Sequence, residues 1–111
     1  MIRVYAERNG CKYRLLTEGH ADMNDSEGAL VCAAVSALTG ALVQFAKGEQ
    51  SCRFVRAAVS CGQVFLSCRG GLKNAFEMIV AALSALALQY PRHVRVMKGD
   101  YQFTAMSSSR K

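Results

Sequence analysis

The chain has 111 residues, about half of them hydrophobic, and a formal net charge of +6. This length suits one domain with a modest core, and we expect residues 1–111 to form a single domain because no repeat or linker divides them. Five cysteines without any C-x-x-C spacing, and only two histidines, argue against a disulfide framework and against a zinc site.

Turn residues and hydrophobic periodicity predict the order of the elements. The predicted strands are residues 3–7, 11–17, 52–59, 64–68 and 93–98, and the predicted helices are residues 29–46 and 72–89. Asn9-Gly10 is a strong signal for a type I′ hairpin turn, and residues 60–63 form a second turn. A further short strand is expected over residues 101–104, before a frayed tail. The order ββαββαβ predicts an α+β fold with two helices covering a mainly antiparallel sheet.

The first helix carries Cys32 close to its start. If Gly28 is the N-cap, Cys32 falls in the first turn, where free N–H groups and the macrodipole lower a thiol pKa from about 8.5 toward about 7. If Ser26 is the N-cap, Cys32 falls in the second turn and the effect is weaker. Cys32, Ser36 and Thr39 recur at helical spacing, with Gly40 beneath them. These side chains are therefore predicted to share a face that lines a cleft.

The segment 29–46 is almost wholly apolar. It is at the lower limit of about 17 to 25 residues for a membrane span, and it contains Ser36, Thr39 and Gln44. We expect a buried core helix and no membrane contact. The N-terminus alternates like a strand and lacks the apolar segment of a signal peptide, which predicts a cytoplasmic protein.

His20 stands twelve positions before Cys32, within Gly19-His20-Ala21. A thiol is a strong nucleophile only as thiolate, and a nearby imidazole is a common base. This pairing suggests a nucleophile and its base. On this spacing alone, Cys32 would be interpreted as a structural residue, because free cysteines are common in protein cores. The other four cysteines are interpreted as structural.

The sequences Gly19-His20-Ala21 and Val31-Cys32-Ala33-Ala34-Val35-Ser36-Ala37-Leu38 resemble the ribosomal-processing cysteine proteases, a bacterial family known as Prp. The resemblance covers most of the chain. It implies that Cys32 is the nucleophile and His20 the general base of an endopeptidase that needs no metal or other cofactor. It also implies a homodimer and, as substrate, the N-terminal extension of large-subunit ribosomal protein number twenty-seven.

Three residues beside this pair are candidates for supporting the site or binding substrate. Gly19 serves either a tight bend or the close approach of a substrate backbone, and Ala21 follows the histidine directly. Ser36 either bonds the carbonyl of Cys32 within the helix or orients the site. The N–H groups at the helix start are predicted to hold the oxyanion, and the loop 21–28 to close over the substrate.

One position departs from the family pattern. The family commonly has Asp three residues before the cysteine, whereas this chain has Ala29. Asp22, Asp25 and Glu27 are alternative orienting acids, and the sequence does not choose among them. A thiol nucleophile depends less on such an acid than a serine does. The loss leaves a noncatalytic ribosome-associated module as the competing interpretation. A third interpretation is a thiol redox protein with Cys32 as its sensor, although no resolving cysteine lies close to it in sequence.

Charge is unevenly distributed along the chain. Four of the eight acids (Glu18, Asp22, Asp25 and Glu27) fall in a ten-residue segment without Lys or Arg, so the remainder holds 14 cations and 4 acids, a net +10. An acidic rim beside His20 would attract the basic end of a ribosomal protein and repel nucleic acid from the active site. The basic remainder has no Gly-aromatic motif of RNA-binding domains.

Overall fold

The computed structural model describes residues 1–22 and 24–98. The helices and strands are β1 (Ile2–Asn9), β2 (Lys12–Glu18), α1 (Ser26–Gly48), β3 (Cys52–Ser60), β4 (Gln63–Gly70), α2 (Lys73–Gln89) and β5 (Val94–Lys98). This order and the α+β class confirm the prediction. The strand expected over 101–104 and the tail lie outside the described residues.

The five strands form one mixed sheet in the order β3-β4-β2-β1-β5. Three of the four neighbouring pairs are antiparallel, and β5 runs parallel to β1. β4 runs in the same direction as β1 and β5, so the chain must cross over the sheet between β4 and β5. The helix α2 makes this crossover connection. The sheet is therefore mainly antiparallel, as predicted.

Both helices pack on the same face of this sheet. That face buries alternate residues such as Val4 on β1 and Leu15 on β2. α1 adds Val35 to this core, and α2 adds Phe76, whose ring centroid lies 5.1 Å from that of Tyr13. Among the described residues, neither helix packs on the opposite face, which we call the open face.

The first hairpin turn differs from the prediction. Asn9 pairs with Lys12, so the two loop residues are Gly10 and Cys11. Gly10 has φ +61° and Cys11 does not have a positive φ, which fits a type II′ turn rather than type I′. The register is set by burying Tyr13 with the core face, because a slip of one residue would turn every β2 side chain to the other face.

α1 begins earlier than predicted, because Asp25 is its N-cap. The Asp25 carboxylate accepts the N–H of Glu27 at 3.0 Å. Neither Gly28 nor Ser26 is the cap, so both alternatives were wrong. Gly28 lies inside the first turn under the preceding loop, where a Cβ would be 2.0 Å from the Asp22 carbonyl oxygen.

By length and composition, α1 could cross a membrane. In the fold, however, one side of the helix lies in the core, through residues such as Val31, Leu42 and Ala46. This placement agrees with the interpretation of the apolar run as a core helix.

Candidate active site

A cleft of about 420 Å³ opens where one end of the sheet meets α1. Its walls come from the start of β1, the end of β2, the turn between β3 and β4, and the first half of α1. Gly19, His20, Cys32, Ser36 and Thr39 all line it. The structure thus brings together every predicted site residue except Ala21, which is buried beside the cleft.

The thiol of Cys32 receives a hydrogen bond from the chain segment that carries the histidine. The backbone N–H of Ala21 donates to the Cys32 Sγ at 3.4 Å. Ala21 therefore supports the nucleophile through its backbone, and this contact joins the histidine loop to α1.

The position of Cys32 in α1 weakens the predicted role of the helix start. Cys32 is the seventh residue of the helix, in its second turn, whereas the free N–H groups belong to the first turn. At 1.5 Å per residue the helix start lies roughly 9 Å away along the axis. The last N–H group without a partner in the helix is that of Gly28, four residues before Cys32. An oxyanion held at the helix start therefore stays a prediction, and the Ala21 N–H is the backbone donor observed at the Cys32 thiol.

His20 is held by two segments that are distant in sequence. The N–H of Gly19 donates to the Gly62 carbonyl at 2.9 Å, and the N-terminal ammonium of Met1 donates to the His20 carbonyl at 2.6 Å. Gly19 has φ +99°, and a Cβ there would lie 2.3 Å from the Met1 carbonyl oxygen. Glycine is therefore required at this position because the chain bends tightly there, close to the N-terminus.

The imidazole of His20 lies against the turn between β3 and β4. A Cβ on Gly62, whose φ is +79°, would be only 2.5 Å from His20 Nε2. Sequence analysis missed Gly62 as a site residue; its one signal was its place in the turn predicted over residues 60–63.

No hydrogen bond joins His20 to Cys32 among the described residues. Both side chains line the same cleft, and His20 is exposed, so its ring can rotate about its side-chain bonds. Hydrogen bonds between catalytic groups are often absent until substrate binds. The assignment of the two residues as base and nucleophile stays a prediction.

None of the loop acids orients His20. Asp25 Oδ2 lies 3.4 Å, and Glu27 Oε1 3.3 Å, from Nε2 of the buried His93 instead. Asp22 accepts the N–H of Asn24. The reason is that a buried imidazole is costly without polar partners, and the start of α1 brings two carboxylates to it.

The same cluster is the one candidate for metal binding in residues 1–22 and 24–98. Ligand atoms of Asp25, Glu27 and His93 all lie within 4.8 Å of one another. Such a set of donors could hold a divalent cation. Polar contacts between a buried imidazole and two carboxylates account for the arrangement equally well, so we assign no metal to it.

The hydroxyl groups on the cleft face of α1 have different roles. Thr39 Oγ1 donates to the Val35 carbonyl at 2.8 Å and is satisfied within the helix. Ser36 is exposed in the cleft, and its hydroxyl makes no hydrogen bond to Cys32 or to any other described residue. The alternative in which Ser36 bonds the Cys32 carbonyl was therefore wrong, and its hydroxyl is free to meet a substrate.

A protein-family model described as cysteine protease Prp matches residues 1–95. The chain belongs to the Prp family. No curated protein matches it. The solved structures with the same fold include the ribosomal processing protease Prp from S. aureus with a covalently linked product peptide (22% identity, TM-score 0.70) and with a substrate peptide (21%, 0.68). Both alignments cover 88% of this chain and 99% of the other chain.

A third solved structure, SMU.848 from Streptococcus mutans, is 22% identical over 88% of this chain and 93% of its own, with a TM-score of 0.66. At such identities these likenesses show the fold. Membership of the Prp family shows that the protein is a cysteine protease.

The five thiols of this Prp-family protein differ in environment. Burial, with a smaller effect from the neighbouring Cys52 thiol, raises the pKa of Cys68 to about 12. Cys68 is therefore a neutral thiol near pH 7. Cys11 and Cys61 are exposed, and Cys61 lines the same cleft as Cys32.

Cys32 is expected to react fastest of the five with iodoacetamide near neutral pH, because it lines the cleft and the Ala21 N–H is directed at its sulfur. The rate should fall on acidification, and Cys68 should react last. Peptide mapping after timed alkylation measures each site. Cys11 and Cys61 are the matched controls, since they are exposed without this donor; faster labelling of either one, with Cys32 inert, would contradict the activated-thiolate interpretation.

Proposed function

We propose that the protein is a cysteine endopeptidase that removes an N-terminal extension from large-subunit ribosomal protein number twenty-seven, with Cys32 as nucleophile and His20 as general base. The observation that carries the proposal is the hydrogen bond from the Ala21 N–H to Cys32 Sγ, which holds the histidine loop on the nucleophile. The family supports it, and the S. aureus relative is a ribosomal processing protease with a substrate peptide.

The proposed reaction needs no group beyond these residues and water. His20 takes the thiol proton of Cys32, and the thiolate attacks the scissile carbonyl carbon. The tetrahedral intermediate collapses as the C–N bond breaks, and the imidazolium returns its proton to the departing amine. Water, deprotonated by His20, then attacks the thioester, the C–S bond breaks, and the second product leaves with a new carboxylate.

The walls of the cleft fit an extended peptide with apolar side chains. Ile2, Val35 and Val64 supply apolar surface, and the hydroxyls of Ser36 and Ser60 lie among them. Apolar walls with a few polar groups are typical of sites that bind a ligand tightly and orient it. A peptide in the cleft would pass between the histidine loop and α1, directly over the thiol.

The direct test is incubation of the purified protein with the extended ribosomal protein, followed by mass measurement of the products. The proposal expects one new mature protein and one short peptide, with no change in a control substrate that already lacks the extension. Alkylation of a separate sample first confirms that the Cys32 thiol of the preparation is reactive. If the extended ribosomal protein then stays intact after prolonged incubation, the assignment of this substrate is overturned.

We also propose that the protein is a cytoplasmic homodimer. The side of α1 that faces away from the sheet is apolar and exposed through Leu30, Ala33, Ala37, Ala41 and Phe45. Small residues along its middle allow a second helix to approach closely.

Light scattering should give twice the monomer mass of 12.1 kDa, and Ala37→Glu should reduce the measured mass to that of the monomer. A monomeric parent protein would contradict the dimer.

Ala29 is the observation that favours a noncatalytic module as the second candidate, because the family commonly has an acid there. We expect Ala29→Asp to leave kcat/KM within about tenfold of the parent, since a thiol nucleophile needs little help from an orienting acid. The measurement is the initial rate of extension removal. A rise of about a hundredfold or more would show instead that this chain is an impaired protease.

The redox interpretation has one observation in its favour. Cys61 lines the same cleft as Cys32, although it is distant in sequence. Oxidation with hydrogen peroxide and mapping of disulfides tests this candidate, which predicts a reversible bond between the two cysteines. The protease assignment predicts that the reduced protein alone is active.

A further inference from the structure

The open face of the sheet carries a continuous row of apolar and aromatic side chains that no described helix covers. Strand register places Met97 beside Tyr5, Tyr5 opposite Leu16, Leu16 opposite Phe65, and Phe65 opposite Ala58. The row crosses all five strands. Tyr5 and Phe65 are half-buried, so each presents part of its ring to solvent.

Basic side chains surround this row on the same face. The strand registers that place the row also place on the open face the residues Arg3, Lys12, Arg14, Arg53, Arg56, Arg69 and Arg95. These seven are half of the 14 Lys and Arg of the chain, and they share the face with two acids, Glu7 and Glu18. The resulting net +5 nearly equals the net +6 of the chain. We call this surface, row and cations together, the basic sheet face.

Several of these cations stand directly opposite one another. Lys12 pairs with Arg69, and Arg69 pairs with Arg53 across the next strand. Arg3 lies beside Arg95 in the same way. Like charges opposite each other destabilise a sheet. Among the described ion pairs, only Arg14 of the seven cations has a carboxylate partner, Glu7 at 3.2 Å. The arrangement costs stability in the isolated protein, and an anionic partner would relieve that cost.

We propose that the basic sheet face binds single-stranded RNA, with bases stacked on Tyr5 and Phe65 and phosphates held by the flanking arginines. Aromatic side chains on an open sheet stack unpaired bases in several RNA-binding folds, and cations beside them follow the backbone. The arginine guanidinium is planar and binds phosphate through two parallel hydrogen bonds. The choice of RNA over DNA rests on the proposed function at a ribosomal substrate.

Two other occupants fit this surface less well. A second copy of the chain would bring two faces of net +5 together, which disfavours a dimer through this face. An anionic membrane would satisfy the charges, but Tyr5, Leu16 and Phe65 are half-buried and offer little apolar surface for insertion. Aromatic rings on an open sheet suit stacked bases.

The basic sheet face also leaves the proposed active site accessible. The cleft lies on the helical side of the sheet, among inward residues such as Thr17 and Val64. RNA on the open face would not block the thiol, in keeping with the expectation of no nucleic acid at the active site. Binding of this kind would hold the enzyme close to RNA while the cleft takes a peptide.

The test is fluorescence anisotropy with the full chain and a labelled oligouridine of about 16 nucleotides. We expect saturable binding that weakens as salt rises, because phosphate contacts release counterions. Arg53→Glu with Arg69→Glu should weaken binding about tenfold or more. The matched control is Lys47→Glu with Arg92→Glu, which changes net charge equally at exposed positions outside the face and should have little effect.

A second variant tests stacking separately from charge. Tyr5→Leu with Phe65→Leu keeps apolar side chains in the sheet, and it should weaken binding about tenfold while leaving the salt slope unchanged. Thermal melts confirm that the variants fold. No binding by the parent protein, an equal loss in the charge control, or stronger binding to anionic vesicles than to the oligouridine would overturn the proposal. These results do not depend on cleavage, which is measured separately, so failure of the protease assignment would be recognised independently.

Discussion

Replacing Cys32 with alanine is expected to abolish removal of the extension, because nothing remains to form the thioester. His20→Ala should lower the rate by about 10²- to 10⁴-fold, since it removes both the base and the proton donor for the leaving amine. The two groups act as one unit, so the double variant should match Cys32→Ala rather than show a summed loss. Product mass after overnight incubation measures the effect.

Folding should survive both changes. Cys32 is half-buried at the cleft and alanine is the best helix former, so the free energy of unfolding should fall by no more than about 1 kcal/mol. His20 is exposed. A melting curve for each variant checks this. Full cleavage by Cys32→Ala would end the protease assignment. Cys32→Ser is the control variant: it keeps the size of the side chain, so loss of activity in a folded Cys32→Ser protein reflects the loss of the thiol and not of the fold.

The second large effect is expected at Gly62, which lines the cleft beside the imidazole of His20. A methyl group there would lie 2.5 Å from His20 Nε2, so Gly62→Ala must displace the imidazole or the turn. A methyl group there also narrows the space in which the His20 ring rotates toward Cys32. A misplacement of about 1 Å in a catalytic group can cost about a hundredfold in rate, so we expect kcat/KM to fall by about that factor. Gly62 is thus a positioning residue for His20.

Gly10→Ala is the matched control for this change. Gly10 also has a positive φ, +61°, in a hairpin turn, but a Cβ there meets nothing within 4 Å. Each substitution should cost about 1 kcal/mol in backbone strain, seen as similar decreases in melting temperature. Only Gly62→Ala should lose activity. Equal activity in the two variants would mean that His20 works from a position away from Gly62.

Local signals in the sequence predicted most of the fold. The alternation of β1 and β2, the apolar runs of α1 and α2 and the two turns are properties of neighbouring residues. The structure contains these elements, with the first turn shifted by one residue and of another type. The spacing of Cys32, Ser36 and Thr39 correctly placed three side chains on the cleft face of α1. The motif around His20 and Cys32 identified the family.

Contacts between distant segments could not be predicted in this way. Nothing in the residues around His20 shows that Gly62 and Met1 hold its loop, because that depends on how two hairpins pack. The acids of residues 22–27 were expected at His20, and two of them lie at His93 because it is buried beneath the start of α1. The N-cap was misplaced since several capping residues stand in succession.

His93 contacts two segments that are synthesised much earlier, the start of β1 and the start of α1. Its carbonyl accepts the N–H of Ile2 at 2.8 Å, and its imidazole contacts the acids at the start of α1. During synthesis, at about 5 to 20 residues per second, Cys32 and His20 emerge seconds before these contacts can form. We therefore expect the nascent chain to gain its protease activity only after β5 has paired with β1.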